Sequence, residues 1–154
     1  MSEPEARYFG DIATGEQIAS AEIQLTESDI KAFAVEFDPQ PYHLDAKAGD
    51  ESIFGGLCAS GWHVTAVMMR LLTDSFDDQN IELLGSASVR RVSWRKPVFA
   101  GDWLKSELCV AKKLDSDDAR YGYIECDVDV KNQHGQSVIL LNTTLMVATG
   151  DRKG

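Results

Sequence analysis

The stretch that most constrains the fold is "LCASGWHVTAVMMRLLTDSF", residues 57–76. Leu57, Cys58, Gly61, Val64, Thr65, Met68, Leu71 and Leu72 recur at i, i+3 and i+4, the spacing of one helical face. Ala59, Ala66, Val67 and Met69 fill the gaps and leave almost no polar side. A helix apolar nearly all round belongs inside a protein, so the spacing predicts a long helix buried on most sides. After residue 80 the pattern changes to four β-like runs, "ELLGSASVRRVSWRKPVF", "DWLKSELCVAKKLD", "RYGYIECDVDVKN" and "SVILLNTTLMVAT". They are divided by Gly101-Asp102, the charged "DSDDA" and the turn sequence "NQHGQ". One apolar helix beside four long strands has an obvious solution, an α+β fold in which an antiparallel sheet wraps around the helix. A single copy of such a sheet leaves a strand edge open, so at least a homodimer is expected.

Upstream, "EQIASAEIQL" places Ile18, Ala21, Ile23 and Leu25 in a short β-like stretch. In "TESDIKAFAVEF", Thr26 is a candidate N-cap with Asp29 at the capping-box position, and Ile30, Phe33, Ala34 and Phe37 follow at helical spacing. The 154 residues suit a single domain spanning 1–154, with residues 1–7 and 150–154 reading as flexible tails. No apolar run approaches the roughly 20 residues of a membrane span, and the acidic start "MSEPEARYFGD" has no signal-like apolar region, so a cytoplasmic location is expected. A formal charge of -10 argues against nucleic acid or an anionic membrane as partner, because both bind through phosphate neutralisation. Cys58, Cys109 and Cys126 are odd in number and widely spaced, which fits buried thiols better than disulfides or a zinc site.

Between the two helices lies "FDPQPYHLDA", residues 37–46. Pro39 and Pro41 push Asp38 and Gln40 out of the α region, so the first helix must end there. Asp38 and His43 are a candidate acid/base couple, since imidazole titrates near neutrality and burial tunes a carboxylate. Fully extended, the chain between them would span about 17 Å, so shared chemistry requires the loop to turn. The same residues are also ordinary turn formers. No third nitrogen or sulfur ligand accompanies Asp38, His43 and Asp45, and no metal is expected.

"DPQPYH", "FGGLCASGW" and "RKPVFAGDWL" together resemble the MaoC-like family, the hydratase-2 type hotdog proteins that include (R)-specific enoyl-CoA hydratases. The family's loop runs D-x-N-P-x-H; Asp38, Pro41 and His43 match it, and Gln40 stands where asparagine is usual. Ser60 occupies the place of the family's histidine before the glycine at the helix start, and Gly61 keeps that glycine. The resemblance implies a hotdog fold and reversible hydration of trans-2-enoyl-CoA to (3R)-hydroxyacyl-CoA, with no cofactor beyond the coenzyme A of the substrate. It implies that Asp38 and His43 hold the water at C3, and that the Gly61 backbone N–H meets the thioester oxygen, with Ser60 and Trp62 shaping the pocket mouth. Two alternatives on the same fold are an acyl-CoA thioesterase and a non-catalytic acyl-CoA-binding protein.

Other residues carry weaker signals. Arg91 and Arg95 share one strand face with Ser93 and are candidate contacts for the phosphates of coenzyme A, although a solvated strand face explains them too. His63 reads as a packed helix histidine and His134 as an exposed turn residue. "GLCAS" does not meet the G-x-S-x-G pattern of a serine hydrolase.

Overall fold

The computed structural model describes residues 5–152. After a single 3-10 turn at Phe9–Asp11, the elements run β1 (Gln17–Ala19), β2 (Ile23–Gln24), α1 (Glu27–Phe37), α2 (Pro41–Leu44), α3 (Ala46–Glu51), α4 (Gly61–Asp78), β3 (Leu83–Trp94), β4 (Trp103–Asp115), β5 (Tyr121–Lys131) and β6 (Ser137–Ala148). All strand pairs are antiparallel, in the order β1-β4-β5-β6-β3, with β2 also paired to β4. This is the expected hotdog arrangement, and among the described residues no helix is long and apolar enough to cross a membrane.

Side chains facing α4 alternate along the strands as a pleated sheet requires: Leu104, Leu108 and Val110 on β4, Ile124, Cys126, Val128 and Val130 on β5, Ile139, Leu141 and Leu145 on β6. From α4, Val64, Met68, Leu71, Leu72 and Phe76 enter the same core, each contributing about 1.5–3 kcal/mol of transfer free energy. The helix is less enclosed than its composition predicts. Trp62 and Ala66 lie on an exposed side, with Arg70, Thr73, Asp74 and Asp77 continuing it.

The start of α4 also differs. Periodicity places Leu57 and Cys58 inside the helix, yet Cys58 forms an antiparallel bridge with Phe99, and the Ala59 N–H donates to the Val98 carbonyl at 2.8 Å. Long-range pairing with the chain before β4 thus holds 57–59 extended, and the helix begins at Gly61. Gly49 explains how α3 reaches this segment: a Cβ there would lie 2.5 Å from the Leu57 backbone nitrogen.

The capping box on α1 forms as read. Thr26 Oγ1 accepts from the Asp29 N–H, and the Asp29 carboxylate accepts from the Thr26 N–H. Residues 1–4 and 153–154 of the two expected tails lie outside the described residues. Arg7, placed in the first tail, is anchored instead: its guanidinium pairs with Glu16 at 2.8 Å and donates to Gln79 at 3.0 Å.

Candidate active site

Two prolines and one carbonyl bring Asp38 and His43 together. The backbone of Asp38 leaves the α region at φ -154°, ending α1, and Pro41 opens the single turn of α2 at a position where a missing N–H is harmless. That turn carries His43 inward until the side chain is only 6% exposed. Its Nδ1 lies 2.6 Å from the Cys58 carbonyl oxygen. A carbonyl only accepts, so Nδ1 carries a proton, and whenever the ring is neutral Nε2 presents a lone pair. That lone pair faces Asp38, with Nε2 and Oδ2 3.4 Å apart.

Two acceptors side by side cannot satisfy each other. A donor with two protons, such as water, satisfies both, and it would keep an oxygen lone pair for a third atom. Asp38 and His43 share the wall of a cleft of about 390 Å³ with Tyr42, Cys58, Gly61, Trp62, Trp94 and Arg95. Cys58 lies against His43, its Sγ 3.9 Å from Nδ1, and burial pushes its thiol pKa up.

Gly61 is the first residue of α4, and the first-turn N–H groups of a helix have no acceptor within it. The absent side chain has a clear reason. A Cβ on Gly61 would sit 2.8 Å from Cε2 and Nε1 of Trp94. The Trp94 indole lies across the glycine and donates from Nε1 to the Gly61 carbonyl at 2.8 Å. Trp62, 62% exposed, stands edge-on to Trp94 with ring centroids 4.9 Å apart. The mouth of the cleft is therefore aromatic.

The remaining candidates divide. Ser60, expected at the mouth, is 0% exposed and does not reach the cleft surface. Its hydroxyl instead donates to Asp38 Oδ2 at 2.7 Å. Arg95 lines the cleft together with Lys96, because β3 has ended at Trp94 and the chain turns across the opening. Arg91 stays on the sheet's other face, in a groove of about 630 Å³ lined also by Asp127, Asp129, Cys109 and Asn142. Arg95 reaches both surfaces. His63 stacks on Phe33 at 4.6 Å, with burial holding its pKa below the usual range, and His134 is exposed in its turn. Trp94, Tyr42 and the Cys58 carbonyl were absent from the sequence-based site, since each enters through a contact distant in sequence or through the backbone. Among the described residues no group of three or more His, Cys, Asp or Glu side chains is arranged to hold a metal.

The sequence profile of the MaoC like domain matches residues 11–132, and the chain belongs to that family. It is 37% identical to the MaoC-like dehydratase from Rhodospirillum rubrum, covering 95% of this chain and 99% of that one with a TM-score of 0.82. R-hydratase PhaJ1 from Pseudomonas aeruginosa shares the fold, at 24% identity and a TM-score of 0.69 over 92% of this chain and 85% of that one. Protein MaoC from Klebsiella aerogenes is 30% identical over 111 residues, 71% of this chain and 32% of that protein. The matches to curated relatives span 66% and 32% of their lengths.

Proposed function

We propose that this chain reversibly hydrates trans-2-enoyl-CoA to (3R)-hydroxyacyl-CoA. The observation that carries the reading is the facing pair of acceptors, His43 Nε2 and Asp38 Oδ2, 3.4 Å apart in a cleft. Water donates one proton to each, and its oxygen attacks C3 of the enoyl thioester. The π electrons move through C2 onto the thioester oxygen as His43 takes the proton, and the imidazolium then returns a proton to C2 as the enolate collapses. Atoms and electrons balance within water and substrate, so this route requires neither metal nor redox cofactor.

The Gly61 N–H meets the developing oxyanion. Support comes from its place as first residue of an 18-residue helix, whose N-terminal dipole favours negative charge. Arg95, with Lys96 beside it, meets the phosphates of coenzyme A at the cleft rim, whereas Arg91 lies on the opposite face and has no part in that contact. Assembly at least as a homodimer is part of the proposal. Among the described residues β3 pairs only with β6, and the strand exposes Leu84 and Val89.

The direct test is loss of enoyl absorbance with crotonyl-CoA and longer enoyl-CoAs, run beside a thiol-release assay. Hydration without thiol release supports the proposal. Thiol release without hydration would make the protein a thioesterase, and saturable binding with neither would make it a binding protein.

A further inference from the structure

Ser60 sits at the N-cap of α4 and has the residue type that caps helices best, yet its side chain makes no capping hydrogen bond. Such a cap normally accepts from the N–H of the second or third helical residue, here Trp62 or His63. Ser60 instead turns its fully buried hydroxyl backward and donates to Asp38 Oδ2, 22 residues away, at 2.7 Å. We infer that Ser60 is a positioning residue for the reaction: by forgoing its cap it locks the Asp38 carboxylate against His43 and leaves the first turn of α4 open to the thioester oxygen. The inference rests on the Asp38–His43 reading above.

The geometry gives each half a physical basis. Asp38 is the C-terminal cap of α1, in a backbone conformation of neither helix nor strand, with its side chain about one quarter exposed. Without a second anchor its carboxylate could rotate about χ1 and χ2 away from Nε2. The Ser60 donor removes that freedom at one oxygen. A serine that capped α4 would take the N–H of Trp62 or His63 and set its own oxygen beside the Gly61 donor that the substrate needs, so the orientation seen here serves both ends of the reaction.

Ser60→Ala tests this with the full chain and crotonyl-CoA. kcat is expected to fall roughly ten- to a hundred-fold, the order set by one hydrogen bond to a charged group, with KM changed by no more than about two-fold. Ser60→Thr restores the hydroxyl and should recover most of kcat. Ser60→Gly keeps a good N-cap residue and serves should alanine disturb the helix start. Carboxyl-carbon NMR of Asp38 in wild type and Ser60→Ala reads the lost hydrogen bond without substrate, as a changed chemical shift of the Asp38 carboxyl carbon. Wild-type kcat and an unmoved Asp38 carboxyl resonance in Ser60→Ala, with Asp38→Asn inactive, would overturn the Ser60 role and leave the pair standing. Wild-type activity in Asp38→Asn would overturn both.

Discussion

Gly61→Ala separates this structure from propensity reasoning. Gly61 does not adopt a positive φ, so alanine fits the backbone, and on helix propensity alone the change should stabilise by up to about 1 kcal/mol. The Trp94 indole reverses the sign. The new Cβ would lie 2.8 Å from two indole atoms, where carbon contacts rest at about 3.5–4.0 Å, so the ring must retreat by roughly 0.7–1.2 Å. That retreat stretches the Nε1 bonds to the Gly61 carbonyl and to Thr65 Oγ1, now 2.8 and 3.2 Å, each contributing about 0.5–1.5 kcal/mol. Trp94 is 44% exposed and has room to move, which keeps the overpacking cost near the lower part of its usual 1–3 kcal/mol range. The net expectation is about 1–2 kcal/mol of destabilisation, a fall in Tm of about 2–8 °C for a domain of this size. Thermal and urea unfolding of Gly61→Ala, Trp94→Ala and the double variant give the cycle. In the Trp94→Ala background the alanine should become neutral or stabilising, a coupling of about 2 kcal/mol. Equal destabilisation in both backgrounds would refute the role given to the indole.

Further outcomes follow from other parts of the fold. Gly49→Ala should be more damaging than Gly61→Ala, because its Cβ would meet the Leu57 backbone at 2.5 Å and no side chain can yield; a smaller loss of Tm would contradict the packing of α3 on 57–59. Burial first, opposed by Asp29, holds His63 below its ordinary value of 6.5. The unfolded chain then binds the extra proton, so this contribution is complete above 6.5 and is lost as pH falls through that value toward the lowered one. Tm measured from pH 7 to 5 should accordingly fall less in His63→Gln than in wild type. Burial raises the Cys126 thiol to about 12 and raises Cys58 as well. A thiol reagent at pH 8 should label only half-exposed Cys109 in the native protein and all three cysteines in denaturant; native labelling of Cys126 would contradict its burial.

What the sequence made legible was local in origin. The α1 capping box needs three residues of context, and the four long strands need only their own composition and turns. The prolines around Asp38 mark the end of α1 by themselves. The start of α4 was misplaced because Leu57 and Cys58 satisfy helical spacing, while the bond that decides against helix comes from Val98, 39 residues beyond Ala59. Ser60 and Asp38, or Trp94 and Gly61, meet only after the sheet has closed on the helix, so no short pattern encodes their contacts. Arg91 and Arg95 share a face by alternation, but β3 ends between them, and only the second turns into the cleft. That Asp38 and His43 could meet was legible; the Cys58 carbonyl and the Ser60 hydroxyl that contact them were not.

The central claim is that Asp38 and His43 act as one unit on one water. Its most direct test is the hydration rate of crotonyl-CoA in Asp38→Asn, His43→Ala and the double variant, with circular dichroism confirming the fold. Each single substitution should lower kcat by more than about 10²-fold, as expected for loss of an acid/base group, and the double variant should be scarcely slower than the worse single one, as for residues acting together. A single variant that keeps its rate within a few-fold of wild type, or losses that multiply in the double variant, would contradict the account.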